Sequence, residues 1–318
     1  MTVSRLALGT MTWGRDTGAD DAAAQLRSYL DAGGNLLDTA DVYGDGEAQP
    51  LVGALLATLD QRDQVIIAAK AGLRGGGRRR DTSRGHLLRS LDNALRELRT
   101  DYLDLWQVHC YDPGTPLEET LAALDHAVNS GKARYVGVSN YAGWQTAQAA
   151  SWQLAWPGRA PLAATQVEYS LLERGVEREV LPACAALGLG VLPWSPLGRG
   201  VLTGKYRDGR PADSRGASAH FASFVAPYLE PRCSSIVEAV LMAAGGLGVA
   251  PLQVALSWVR DRPGVTAPIL GARTVGQLEG ALAAERITLP AEINQALTDV
   301  SSIAVGYPER VSSESRSG

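Results

Sequence analysis

The chain has 318 residues, a formal net charge of -4, 45% hydrophobic and 20% charged residues. That balance builds a sizeable folded core and excludes extensive disorder, and a net negative chain makes no electrostatic partner for nucleic acid or an anionic membrane surface. The three cysteines, Cys110, Cys184 and Cys233, are odd in number and widely spaced, which fits reduced thiols and argues against a disulfide framework or a cysteine metal site, so no metal is expected.

The N-terminal "MTVSRLALGTMTWG" has no charged start followed by a long apolar stretch. No apolar run approaches the roughly 18 residues of a membrane span, and the expectation is a cytoplasmic protein without a membrane partner. In chain order the apolar runs "SRLAL" (4–8), "NLLD" (35–38) and "VIIAAK" (65–70) read as strands. "TSRGHLLRSLDNALRELR" (82–99) reads as a helix, because Leu87, Leu88, Leu91, Leu95 and Leu98 recur at helical spacing and Ser83 can cap its start. "YLDLWQVH" (102–109) is the next strand, followed by a helix over "PLEETLAALDHAVNS" (116–130) with Pro116 at its first turn. "ARYVGVS" (133–139), "ATQVE" (164–168), "GVLPW" (190–194) and "TAPIL" (266–270) complete eight strands, and "VGQLEGALAA" (275–284) reads as a closing helix. Eight such alternations without a Pro- or Ser-rich linker predict a single α/β domain, a (β/α)8 TIM barrel over residues 1–302, with a doubly wound sheet as the alternative. Residues 203–233 carry no clear period and form a long site-side loop, and 303–318 form a polar tail expected to be flexible.

In such a barrel the site lies at the C-terminal ends of the strands. Asp38, Lys70 and His109 each terminate an apolar run, and Tyr43 follows Asp38 within one loop. A phenol is too weak an acid for easy proton exchange at neutral pH, and a nearby ammonium lowers its pKa. Lys70 can supply that charge, Asp38 can hold the Lys70 proton in place and so act on Tyr43 only through Lys70, and His109 can orient a substrate oxygen. Asp41 stands outside this set. Taken singly, Asp38 also fits a structural ion pair, His109 a core histidine and Lys70 a Schiff-base nucleophile.

The segments "LGTMTWG", "DTADVYG", "AAKAG", "SLDNALRELRTDYLDLWQVH", "GKARYVGVSN", "QVEYSLLER", "GVLPWSPLGRGVLTGKYR" and "PILGARTVGQLEGAL" together resemble the aldo-keto reductase family, including its potassium-channel β-like members, from about residue 4 to 300. The resemblance implies a (β/α)8 barrel that reduces aldehydes and ketones with NADPH, with Asp38, Tyr43, Lys70 and His109 as catalytic tetrad and Tyr43 as proton donor. It further implies cofactor contacts from Thr10, Met11 and Asp38. Ser139, Asn140 and Gln166 would hold the nicotinamide carboxamide, and Trp194 would stack on its ring. Ser195, Pro196, Leu197, Gly198, Gly200 and Lys205 would surround the pyrophosphate. Gly271, Arg273, Thr274 and Gln277 would take the adenosine end, and the Arg273 guanidinium suits the 2′-phosphate of NADP. Trp13, Tyr43 and His109 would wall the pocket of a small-molecule carbonyl substrate.

Two departures bear on cofactor affinity. The family often has Ser-Glu where this chain has Ala48 and Gln49, and Glu and Asn where it has Gly280 and Ala281. The basic run "RGGGRRR" (74–80) reads either as a solvated loop or as a rim that favours anionic substrates through Arg78, Arg79 and Arg80. A monomer or small homo-oligomer is expected. A nucleotide-binding regulatory subunit resembling potassium-channel β subunits is the alternative function, and a Schiff-base lyase a third.

Overall fold

The computed structural model describes residues 1–310 except 60, 61, 75–78, 208, 212, 213, 218–221, 305 and 309. Eight parallel strands form one sheet: β1 (Ala7–Gly9), β2 (Leu36–Asp38), β3 (Ile66–Ala71), β4 (Leu103–Val108), β5 (Ala133–Ser139), β6 (Leu162–Glu168), β7 (Gly190–Trp194) and β8 (Ile269–Leu270). Consecutive strands are neighbours, and β1 pairs with β8 through Ala7↔Ile269 and Leu8↔Leu270. Between β7 and β8 the Thr266 N–H donates to the Val191 carbonyl at 2.8 Å and the Val191 N–H to Gly264 at 3.3 Å. The sheet thus curls into the (β/α)8 barrel that the alternation predicts.

The period-2 alternation of each strand sorts its side chains into two cores. Ala7, Leu36, Ala68, Leu105, Ala164, Leu192, Ala267 and Ile269 fill the barrel. The alternate residues, such as Leu8, Leu37, Ile67, Trp106 and Val136, face the surrounding helices in the larger core. Those helices are α1 (Ala19–Asp31), α2 (Ala48–Leu59), α3 (Arg84–Glu97), α4 (Leu117–Asn129), α5 (Gly143–Leu154) and α6 (Val180–Leu187), then α7 (Pro231–Leu247), α8 (Pro251–Arg260), α9 (Val275–Leu282) and α10 (Ala291–Val300). No single described helix is long and apolar enough to cross a membrane.

Helix α3 buries Leu87, Leu91 and Ala94 at the predicted spacing. Ser83 is the N-cap residue, as expected, although its hydroxyl donates to Asp81 Oδ1 at 2.6 Å and makes no bond to the helix. Pro116 is the N-cap residue of α4 and precedes its first turn. The long connection after β7 holds short helical turns at 198–203 and 222–228, and α7 begins within its expected span at Pro231. The basic run after β3 forms a two-residue antiparallel pair, Leu73–Arg74 with Arg79–Arg80, while Arg78 lies outside the described residues.

Helix α2 packs on α3 at Gly53, where a Cβ would lie 2.2 Å from the Glu97 carbonyl oxygen and 2.8 Å from the Leu98 backbone. Backbone cannot swing aside as a side chain can. Gly53→Ala is expected to lower unfolding free energy by about 1–3 kcal/mol in chemical denaturation. An unchanged midpoint would show that the two helices are not held at this distance.

Candidate active site

Asp38 is the last residue of β2, Lys70 the penultimate residue of β3, and His109 directly follows β4. Register pairs Asp38 with Ala68 and Lys70 with Gln107, so the inward-facing residues of neighbouring strands rise as a staircase to the same barrel mouth. Asp38 and Lys70 are 2% and 1% exposed. The Lys70 ammonium donates to Asp38 Oδ1 at 2.7 Å, to Asp38 Oδ2 at 2.8 Å and to the Thr39 carbonyl at 2.9 Å. Burial pushes the Lys70 pKa down, and the charge and hydrogen bonds of Asp38, with help from Asp41, push it back.

Tyr43 is half-buried, with Lys70 Nζ 4.8 Å from its ring centroid and the His109 ring edge-on at 6.0 Å. The expected lowering of the phenol is corrected by the geometry. All three Lys70 donors are directed at Asp38 and Thr39, and the carboxylate offsets the ammonium charge. The Tyr43 pKa is therefore raised well above its ordinary value, first by burial, then by the charges of Asp38 and Asp41. Asp38 thus acts on the phenol directly as well as through Lys70. Asp41 also belongs to this electrostatic set, contrary to the expectation that it stands outside it. Tyr43 carries its proton throughout the neutral range. His109 is pushed down to about 3 by burial and the Lys70 charge, so its ring is neutral at pH 7.

Trp13 is not a pocket wall. It is fully buried and its indole N–H donates to Gln25 of α1 at 3.2 Å. Its backbone supports the Tyr43 turn, where a Cβ on Gly44 (φ 58°) would lie 2.1 Å from the Trp13 carbonyl oxygen. The three residues expected at the nicotinamide carboxamide are joined to the tetrad: Gln166 donates to Asp38 Oδ1 at 2.7 Å, and Asn140 donates to the His109 carbonyl at 2.9 Å and to Ser139 Oγ at 3.1 Å. Trp194 Nε1 donates to Asn140 Oδ1 at 3.0 Å. Thr10 is buried, and its hydroxyl donates to the Asp38 carbonyl at 3.0 Å.

A cavity of about 480 Å³ runs from Tyr43, His109 and Trp194 past Ser195 and Lys205 to Arg273 and Gln277. Met11, Asp38, Asn140 and Gln166 also line it, as do Pro196, Leu197, Gly200 and Gly271. Thr10, Ser139, Gly198 and Thr274 are not among its lining residues. Thr274 caps α9 by accepting from the Gln277 N–H at 3.4 Å. Of five non-glycine residues with left-handed backbone among the described residues, Asn140, Ser195 and Arg199 line this cavity. Such conformations cost energy and gather where a surface is shaped for a ligand.

Several features fit an elongated dinucleotide. A flat Trp194 stands beside the tetrad. Farther along, Gly200 (φ 90°) has no side chain between its backbone and Lys205, whose Nζ lies 3.1 Å from where a Cβ would be, and that opening suits a pyrophosphate. At the far end Arg273 stands at the N-terminus of α9, suited to a phosphate.

Sequence reasoning missed Arg199 and its partners. Its guanidinium forks onto Glu168 at 2.9 and 2.6 Å, donates to the Phe224 carbonyl, and lies 3.8 Å from the Phe224 ring centroid. Phe224 in turn is parallel to Trp194, with centroids 6.3 Å apart. Arg199 therefore ties the end of β6 to the turn at 222–228 across the cavity. "SPLGRG" places Arg199 in the right segment, but nothing local in the sequence announces partners 25 and 31 residues away.

The sequence profile of the Aldo/keto reductase family matches residues 5–302. The chain is 33% identical to aldo-keto reductase YhdN of Bacillus subtilis over 87% of its length and 83% of the relative's. It is 36% identical to an L-glyceraldehyde 3-phosphate reductase of Escherichia coli (86% and 82%) and 35% identical to a probable voltage-gated potassium channel subunit beta of rice (87% and 85%).

Removing the cation alone strands a buried charge. Lys70→Met is expected to lower unfolding free energy by about 3–5 kcal/mol, and adding Asp38→Leu to recover much of that loss. A double variant no more stable than the single one would contradict a mutually neutralised pair.

Proposed function

Because the chain belongs to the aldo/keto reductase family, we propose that it reduces an aldehyde or ketone to an alcohol with NADPH, Tyr43 donating the proton. The observation that carries this reading is the convergence of a proton-bearing phenol, a buried Lys70–Asp38 pair and a neutral imidazole at a cavity that Trp194, Lys205 and Arg273 also line.

Bound there, NADPH would supply a hydride for the carbonyl carbon. As negative charge develops on the carbonyl oxygen, the Tyr43 hydroxyl gives up its proton to it. The resulting phenolate faces Lys70, whose position is fixed by Asp38 and Thr39, so no reorganisation is needed when the charge appears. Neutral His109 orients the oxygen without competing as the acid. Trp194 holds one flat wall of the cavity, and Asn140 locks it to the His109 backbone. Lys205 attracts the pyrophosphate, and Arg273 favours the 2′-phosphate that distinguishes NADPH from NADH. Small aldehydes, neutral and phosphorylated, form the first panel to assay, given the reductase relative named for L-glyceraldehyde 3-phosphate.

The 35% identity to a potassium channel β subunit favours a second reading, a nucleotide-binding regulatory subunit. Binding of NADPH without turnover of any carbonyl would select it over the reductase.

Tyr43→Phe is expected to reduce kcat for carbonyl reduction by about 10²–10⁴-fold, with NADPH affinity unchanged in a fluorescence titration. Full activity in that variant would remove Tyr43 as donor. Arg273→Ala is expected to weaken NADPH far more than NADH, with the difference shrinking as salt rises. Equal weakening of both cofactors would overturn the NADPH preference.

A further inference from the structure

All three exposed tryptophans among the described residues, Trp144, Trp152 and Trp156, lie on α5 or in the turn after it, on a part of the surface that the reaction does not use. Helix α5 turns Thr146, Ala149 and Ala150 inward. Trp144 and Trp152, eight residues apart, share its outward side. Helix α6 runs beside α5, and their starts touch where a Cβ on Gly143 would lie 2.3 Å from the Glu179 Cβ. The outward residues of α6 are small, with Pro182, Ala185 and Ala186 exposed. Neither 141–158 nor 180–198 contains Asp, Glu, Lys or Arg, although 20% of the chain is charged. Charges stand at the margins, with Arg178 and Glu179 before α6 and Arg159 after α5. On the α4 side the Asp125 carboxylate accepts from Gln153 Nε2 at 2.7 Å and from the Ala160 N–H at 2.8 Å.

Two of the tryptophans are held ready by their own chain. Trp144 packs edge-on against Tyr111, with ring centroids 5.8 Å apart. The Arg159 guanidinium lies 4.5 Å from the Trp152 ring centroid and donates to the Trp152 carbonyl at 2.7 Å. Rings fixed before binding lose little rotamer freedom on contact, and buried tryptophans carry much of an interface's energy.

We propose that the α5–α6 face binds the same face of a second copy of this chain, forming a two-fold dimer. Around a two-fold axis a face meets itself, so a charged face repels its own image and an uncharged one does not. Projecting tryptophans on α5 and flat alanines on α6 give this face both the knobs and the seat that a self-complementary contact needs. At exposures of 57%, 38% and 66%, the three tryptophans alone offer about 400 Å² per copy, taking roughly 250 Å² per side chain. That is half of the ~800 Å² that each partner of a standard interface buries, and Leu154 at 56% exposure and the α6 alanines add to it. A membrane surface fits less well, because an interfacial helix carries Lys and Arg along its polar side and α5 has neither.

Sedimentation velocity of the purified full chain over about 1–100 µM tests the proposal. The chain is expected to sediment at twice its 33.6 kDa mass, and its tryptophan emission to move to longer wavelength on dilution into the monomer. Ala186→Arg and Trp156→Arg, at exposed sites on separate elements, are each expected to raise the dissociation constant by about 100-fold or more, since every change occurs twice in a two-fold interface. The dilution series on the unaltered chain stands even where a variant fails to fold. A monomer across the whole concentration range, or a dimer that survives both substitutions, would overturn the proposal.

Discussion

The site depends on a single difficult constraint: a lysine ammonium held inside a protein barrel. Lys70 is 1% exposed, and an isolated charge at that depth would shed its proton. Asp38 prevents this with both carboxylate oxygens, and the Thr39 carbonyl takes the remaining donor. Gln166 donates to the same carboxylate from across the barrel, so strands β2, β3 and β6 are joined at one point. With its own hydrogen bonds satisfied, the ion pair becomes a fixed dipole beside Tyr43 and His109.

The fold supplies the rest by position. Small and branched residues fill the barrel, and Asp38, Lys70 and His109 stand at or next to the ends of their strands. The Tyr43 turn is seated on the Trp13 backbone through Gly44, and Trp194 is seated on Asn140, whose amide also holds the His109 carbonyl. Hydrogen bonds and close packing thus couple Tyr43 and His109 to the Trp194 side of the cavity, and the left-handed backbone at Asn140, Ser195 and Arg199 marks where the chain bends to form that wall.

Much of this was legible in the sequence because it follows from local periodicity. Strands ending in Asp38, Lys70, His109 and Trp194 announce themselves as apolar runs with a polar or aromatic stop. What depends on long-range geometry was not legible. Trp13 has the chemistry of a pocket wall, yet its indole is spent on Gln25 in the core. Arg199 looks like one more residue of a phosphate loop, yet Glu168 and the Phe224 carbonyl claim its guanidinium. Asp41 sits three residues from Asp38 with no local sign of its influence, because a pKa depends on burial and neighbours that only the folded chain assembles. The sign of the Tyr43 shift failed for the same reason: a lysine beside a phenol lowers its pKa, but a lysine already neutralised by an aspartate leaves burial in control.

The most direct test of the account is a crystal structure with NADP and a carbonyl compound bound. The account predicts the carbonyl oxygen within about 2.6–3.2 Å of Tyr43 Oη, beside the His109 ring, with the Lys70–Asp38 pair unchanged beneath. A carbonyl oxygen bound away from Tyr43, or a Lys70 drawn from Asp38 into a covalent bond with the carbonyl carbon, would contradict it.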